Sequence, residues 1–291
     1  MKKLIYYGKN HPGYPEKLKV LESPPAGLYV LGKLPDPDRK TAAIVGARSC
    51  SVYGRRQARF FARALSARGI QIVSGLASGI DRAAHEGALE GGTQTFAVLG
   101  CGADVCYPRE NFGIYRQIAQ GGGGILSEFE PGSRPLGWHF PRRNRIISGL
   151  ADLVLVVEAR ARSGALITAD CALEQGKTVY AVPGRLEDPL SEGCNRLIFQ
   201  GAGTALSPQV LLEELDVPDE PAAQDPEEKR GALPEEFQRI FRCLGPEGKT
   251  LETVSRETGT TVEETARILM RLELEGLAEE DSRGYCRSCL R

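Results

Sequence analysis

The sequence predicts an α/β protein: a doubly wound, mainly parallel sheet followed by a small C-terminal winged-helix domain. Three observations predict it. Short apolar runs end repeatedly in glycine turns, and each turn leads into a helical period, as where Thr41-Ala-Ala-Ile-Val45 meets Gly46-Ala-Arg-Ser49. Leu153-Val-Leu-Val-Val157 is apolar at every position rather than alternating, the pattern of a strand buried on both faces of a parallel sheet. Beyond a proline-rich gap, Glu235 to Leu244 reads as a helix, Leu251 to Glu275 as helix, turn, helix, and Gly276 to Tyr285 as a hairpin wing.

Taken in order, residues 1–40 are rich in proline and glycine and read as a leader packed against the main domain, with a short strand at Tyr29-Val-Leu31. The main domain spans 41–215. After the first strand, Ala58, Phe61, Ala62 and Leu65 mark one helical face, which Gly69 terminates. Ile70-Gln-Ile-Val73 is the next strand and ends in Ser74-Gly-Leu-Ala-Ser-Gly79. A helix then runs from about Ile80 to Glu90, stopped by Gly91-Gly92. Thr95 to Leu99 is a strand, and Gly124-Ile-Leu126 a weaker one. Ser163-Gly-Ala opens a helix through about Gln175, before the strand Thr178 to Val182. Short helices at Asn195–Gln200 and Pro208–Leu215 close the domain. Residues 216–232 lack apolar periodicity, carry three prolines and read as a linker; 233–291 form the winged-helix domain.

Composition narrows the function. The chain has 291 residues, 41% hydrophobic, enough for a substantial core and two domains. Its formal net charge of −1 gives no general attraction to a polyanion, so any such site is local. The N-terminus shows no signal peptide and no membrane span. The scattered cysteines Cys50, Cys101, Cys106, Cys171, Cys194 and Cys243 suit reduced, buried thiols in a cytoplasmic protein. Cys286-Arg-Ser-Cys289 is a lone C-x-x-C without a second pair, which argues for a frayed tail over a zinc site.

The chemistry concentrates in Gly137 to Gly149. Arg142, Arg143 and Arg145 crowd beside Asn144, just after Phe140 and the only tryptophan, Trp138. Guanidinium groups beside aromatic rings suit a ligand with phosphates and exposed bases. The ordinary alternative is a solvated turn followed by a helix. Gly46 to Ser49 and Ser74-Gly75 each sit where a strand ends and a helix begins, the edge at which ligands bind open parallel sheets. There Arg48 and Ser49 offer charge and a hydroxyl, and helix N-termini offer free N–H groups. Glycines at such turns also occur for geometry alone. Neither G-x-G-x-x-G nor G-x-x-x-x-G-K-[ST] is present, which argues against a dinucleotide enzyme or a P-loop nucleotidase. Asp81 and His85, four apart on one helix face, are an acid–base candidate, though a capping Asp and a structural His explain them as well. His11 and His139 have no evident partner. No Ser/His/Asp or Cys/His arrangement stands out, so a binding protein ranks above an enzyme, and no cofactor or metal is expected.

Several of these segments together resemble one family. They are Gly46-Ala-Arg with Tyr53-Gly54, Ser74-Gly-Leu-Ala-Ser-Gly-Ile-Asp81 with Ala84-His85, Ala97 to Gly100 with Tyr107-Pro108, and Phe140 to Gly149. Glu158-Ala159 with Ser163 to Ala169, Val182-Pro-Gly184 and Gly193 to Ile198 complete the series. In this order they resemble the DNA-processing proteins called DprA or Smf, over roughly residues 20 to 215, and the C-terminal module is similar to that of many members. The resemblance implies a Rossmann-like domain that binds single-stranded DNA, forms a homodimer, protects incoming DNA and loads the RecA recombinase during natural transformation, without established catalysis. By motif position Arg48 is similar to the family's phosphate-binding arginine. Arg143, Asn144 and Arg145 match its Arg-Asn-Arg segment and Phe140 its pocket aromatic. Ser74-Gly75 and Ser163-Gly164 match the remaining pocket turns. The helical N-terminal domain of many members is expected to be absent here or reduced to its last segment.

The resulting expectation is a cytoplasmic DNA-binding protein whose interface comprises Gly46, Arg48, Ser49, Ser74, Gly75, Phe140, Arg142, Arg143, Asn144, Arg145, Ser163 and Gly164. The rival is a hydrolase of nucleotides or nucleoside phosphates, with Asp81 or Glu158 activating water. A third reading is an interaction protein acting through the winged helix. In that module acidic side chains outnumber basic ones, which favours protein contact over duplex DNA.

Overall fold

The structure is a computed structural model that describes residues 3–218, 234–245, 248–274, 277–281 and 284–287. The chain divides into two compact units at Pro218.

In the first unit the elements run Leu4–Gly8 (β1), Glu16–Lys19 (α1), Gly27–Gly32 (β2), Thr41–Val45 (β3), Val52–Ala67 (α2), Gln71–Ser74 (β4), Ile80–Gly91 (α3) and Thr95–Val98 (β5). They continue with Phe112–Gln120 (α4), Gly124–Ser127 (β6), His139–Leu150 (α5), Leu153–Val156 (β7), Gly164–Glu174 (α6), Thr178–Ala181 (β8), Glu192–Phe199 (α7), Gly203–Thr204 (β9) and Pro208–Glu214 (α8). The sheet order is β1-β2-β6-β5-β4-β3-β7-β8-β9. Every pair from β6 to β9 is parallel, while β1 with β2 and β2 with β6 are antiparallel.

The sequence explains the layering. β3 and β7 are apolar throughout, and Ala42, Ala43, Ile44 and Leu153 to Val156 are fully buried because helices cover both faces. Alternate residues feed two cores. Ala43, Val45, Val154 and Val156 meet Ile146, Ile147 and Leu150 of α5 on one face. Ala42, Ile44, Leu153 and Leu155 meet Phe61, Leu65 and Ala84 of α2 and α3 on the other. α2 starts cleanly because Ser51 caps it, accepting from the Gly54 N–H at 2.9 Å.

The segment expected as a leader is part of the sheet. β1 and β2 extend it beyond β6, and Tyr14 and Leu18 lie in the core against α5. The Tyr14 hydroxyl donates to the Pro25 carbonyl at 2.8 Å, which closes this segment on itself, and burial pushes its pKa up to about 12. Val217 still packs against the first unit; the rest of the linker expected over 216–232 lies outside the described residues from 219 onward.

The winding places the site. From β3 the chain moves outward through β4, β5 and β6, then returns to the other side of β3 with β7 and continues through β8 to β9. The direction reverses between β3 and β7, and such a reversal opens a crevice at the carboxyl ends of the strands.

The second unit has helices Glu235–Cys243, Leu251–Thr258 and Val262–Leu274, then strands Ala278–Asp281 and Gly284–Arg287 paired antiparallel. Its own core joins Phe237, Ile240, Val254, Ile268 and Leu272. Thr250 caps the second helix and Gly259, at φ 69°, ends it, which makes the expected helix-turn-helix. Parts of the expected wing (Gly276, Ser282 and Arg283) and Cys289 lie outside the described residues. Cys50, Cys101, Cys106, Cys171, Cys194, Cys243 and Cys286 are free thiols. Among the described residues no helix is long and apolar enough to cross a membrane.

Candidate nucleic-acid interface

At the carboxyl end of β3 the chain turns at Gly46. A Cβ there would lie 2.6 Å from Ile80 Cγ1 and 2.9 Å from the Glu158 carbonyl oxygen, so close packing between β7 and α3 demands glycine. Two residues on, Arg48 is exposed and holds its guanidinium 5.0 Å from the centroid of the Phe140 ring. The half-buried Phe140 has the Tyr107 ring 5.8 Å away on the loop after β5. Arg48 and Phe140 border a cleft of about 490 Å³ at the sheet reversal, lined also by Gly46, Asn144, Ser163 and Gly164.

The N-termini of two long helices flank this cleft. Trp138 occupies the N-cap of α5 and supplies no side-chain cap, since indole has no acceptor. Ser163 caps α6, accepting from the Ala165 N–H at 3.3 Å. Gly164 opens α6, and a Cβ there would meet nothing within 4 Å. Neither packing nor a left-handed backbone requires that glycine.

The arginine segment divides sharply. On α5, His139, Arg143, Ile146, Ile147 and Leu150 share the buried stripe. Arg143 is 4% exposed, with Nη1 donating to the carbonyls of Gly75, at 2.7 Å, and Val98. Its Nε donates to Asn144 Oδ1 at 3.3 Å. Burial depresses its pKa to about 10, with Asp81 opposing the shift. Gly75 is glycine because the Arg143 guanidinium fills the space of its side chain. Asn144 donates through Nδ2 to the Gly164 carbonyl at 3.1 Å, tying α5 to the mouth of α6. Arg145 pairs with Glu128 at 2.7 Å, and Arg142 reaches the same carboxylate at 3.2 Å while remaining over half exposed.

Ser49, Ser74, Gly75, Arg142 and Arg145, all expected members, are not among the residues that line the cleft. The Ser74 hydroxyl is buried and donates to the Ile44 carbonyl at 2.6 Å, stitching β4 to β3 instead of facing the cleft. Ser49 is exposed on the same turn as Arg48. The cleft also draws on Gly137, Pro141, Ile167 and Thr168, which the sequence analysis did not single out.

The acid–base candidates Asp81 and His85 bond to different partners, and Asp81 also lines the cleft. Asp81 Oδ2 accepts from the N–H groups of Gly75 at 3.1 Å and Ala77 at 3.4 Å, and burial raises its pKa despite Arg143 nearby. The Thr95 hydroxyl gives its proton to the Ile72 carbonyl, so it accepts from His85 Nδ1 at 2.7 Å. Burial holds the His85 pKa down to about 3. Glu158 accepts from the Ser51 N–H at 2.9 Å and from its hydroxyl, and Gly54 leaves room for this carboxylate. His139 donates through Nδ1 to the Gly100 carbonyl at 3.0 Å and stacks on Phe129 at 3.8 Å. Among the described residues no group of three or more His, Cys, Asp and Glu side chains is placed to hold a metal ion.

Fold and cleft thus define an α/β protein with a cationic, aromatic-edged crevice at its sheet reversal, joined to a small helical module. The chain belongs to the DNA recombination-mediator protein A family, whose description matches residues 5–216, and the DprA winged helix domain matches residues 218–282. It is 41% identical over 281 residues to Protein Smf of Escherichia coli K12, covering 94% of this chain and 75% of that protein. It is 43% identical over 203 residues to DNA processing protein DprA of Streptococcus pneumoniae, covering 70% and 71% of the two. Among solved structures, DprA of S. pneumoniae aligns with TM-score 0.68 at 41% identity, over 73% of this chain and 74% of that one. DNA processing protein A of Helicobacter pylori, whose structure describes a single-stranded DNA binding mode, aligns with TM-score 0.65 at 31% identity, over 74% and 96%.

Proposed function

We propose that this protein binds single-stranded DNA in the cleft between β3 and β7. The observation that carries the reading is Arg48 set against Phe140 at the mouth of a crevice bounded by two helix N-termini. A phosphate meets the Arg48 guanidinium and the N–H groups that open α6; a base rests on Phe140. Stacking accepts any base, so little sequence preference is expected. Arg142 adds charge at the rim. Arg143 and Asn144 line the cleft while holding the β4 turn and the α6 mouth, and Arg145 holds the Glu128 carboxylate behind them. Binding of single-stranded DNA by the H. pylori relative supports this reading.

The wider role follows the family. A cytoplasmic homodimer protects incoming strands and hands them to RecA during natural transformation, with no catalytic step of its own. Its mark is faster filament growth by the matching recombinase on DNA coated with a single-strand-binding protein. A hydrolase on the same cleft needs a carboxylate free to activate water, whereas Asp81 and Glu158 both hold backbone N–H groups.

The direct test is salt-titrated fluorescence anisotropy with an oligonucleotide and a mononucleotide. The oligonucleotide binds with a steep salt slope, because each neutralised phosphate contributes about 0.7 to the slope. Tight mononucleotide binding with a flat slope would favour the hydrolase.

A further inference from the structure

The cleft holds a nucleotide or two, since about 490 Å³ falls within the roughly 300–1,000 Å³ of small-ligand sites. A strand must therefore leave it over the rim. One stretch of rim is Gly137-Trp138, and Gly137 and Phe140 on either side of Trp138 both line the cleft. Trp138 is 59% exposed, large for the only tryptophan in the chain. Its ring is nevertheless anchored. It meets His139 edge-to-face at 4.1 Å and 79°, and Phe129 at 6.2 Å and 82°. The His139 and Phe129 rings stack on each other, and His139 is pinned to the Gly100 carbonyl. Arg142 sits 6.0 Å over the Phe129 ring, which brings a half-exposed cation to the same patch.

Phe140 and Trp138 lie two residues apart at the start of α5, and about 100° per helical residue turns their side chains to different sides. Phe140 meets Arg48 and Tyr107; Trp138 meets Phe129, over whose ring Arg142 sits. The rim carries two aromatic groups with a guanidinium each, Arg48 over Phe140 itself and Arg142 over Phe129, the ring that Trp138 meets edge-on. We infer that Trp138 is a second base-stacking platform for single-stranded nucleic acid, taking the nucleotide that follows the one held on Phe140, with Arg142 beside the intervening phosphate. An indole that is open to solvent yet anchored by Phe129 and His139 suits a stacked base. This inference rests on the proposed cleft reading and extends it by one nucleotide.

The test uses the full chain and the indole itself as reporter. Titration with a short oligothymidylate quenches Trp138 emission in step with the anisotropy of a labelled copy of the same strand, and thymidine monophosphate does not. Trp138→Ala weakens oligothymidylate binding by roughly 5- to 140-fold, the range for loss of one stacked base, with an unchanged salt slope. Trp138→Phe restores most of the affinity. If the wild type binds the strand but the indole is unquenched and Trp138→Ala binds normally, the platform is wrong while the cleft stands. If the wild type binds no strand at all, the cleft reading itself fails. Should Trp138→Ala leave DNA affinity intact but disrupt self-association in sedimentation, the patch is a protein contact and the inference is overturned.

Discussion

Arg143 Nη1 donates to the Gly75 carbonyl at 2.7 Å, and its guanidinium fills the volume a side chain at position 75 would need. An arginine in the most basic segment of the chain is thus spent on backbone carbonyls and on balancing the buried Asp81. Arg143→Ala leaves those carbonyls unsatisfied and Asp81 without its countercharge. The expected loss of stability is about 1–3 kcal/mol for each carbonyl left unsatisfied in the core. Urea denaturation measures it. Arg143→Lys does not restore stability, because an ammonium cannot present a forked set of donors. A fully stable Arg143→Ala protein with weak DNA binding would return Arg143 to the role of direct ligand.

Stability should depend on pH through His85. Its folded pKa, about 3, lies below the ordinary 6.5. The unfolded chain therefore binds a proton that the folded chain refuses between these values. Stability is fully present above pH 6.5 and falls as pH drops toward 3, by up to about 1.4 kcal/mol per pH unit. Denaturation midpoints at several pH values for wild type and His85→Gln isolate this site. The variant's curve should be flatter, and parallel curves would show that another group dominates.

Gly164 separates packing from binding. Its backbone suits any residue, and a methyl there enters open space at the cleft. Gly164→Ala is expected to keep or raise stability, by about 0.4–1 kcal/mol, while weakening single-stranded DNA. Calorimetry and anisotropy on the same preparation check both halves. Unchanged affinity would place the phosphate path away from the α6 N-terminus.

The C-terminal module is expected to contribute little to DNA affinity. On helix Val262–Leu274, Glu263 and Glu273 are exposed beside Arg267, and Arg271 lies over the Phe237 ring, 5.7 Å from its centroid. With Glu264 the helix carries three acids against two bases, a balance that gives no attraction to a phosphate backbone. A chain ending at Pro218, which keeps the buried Leu215 and the packed Val217, retains most of the affinity. Duplex binding by residues 219–291 alone at physiological salt would reverse this assignment.

The fold was legible where burial leaves a mark on composition. β3 and β7 announce themselves by unbroken apolar runs, and the β4 turn by its glycines. β1 was missed because only part of it is covered and its residues do not alternate cleanly. α4 was missed because Phe112-Gly113 begins it without a capping side chain. At the site, Gly46, Arg48, Phe140, Ser163 and Gly164 line one cleft. The inward turn of Arg143 had an unread signal: it falls four residues after His139 and four before Ile147, on the apolar stripe of its own helix. Ser74 had none, since a hydroxyl at a strand end looks the same whether it meets a ligand or a neighbouring carbonyl.

The most direct test of the account compares Arg48→Ala and Phe140→Ala across a salt series with one labelled oligonucleotide. Both variants bind more weakly, but they should differ in slope. Arg48→Ala flattens the dependence of log affinity on log salt by about 0.7, one phosphate contact. Phe140→Ala loses about 1–3 kcal/mol with its slope unchanged. Folded variants that both keep wild-type affinity and slope would contradict the central claim that this pair, 5.0 Å apart, forms the contact surface for single-stranded DNA.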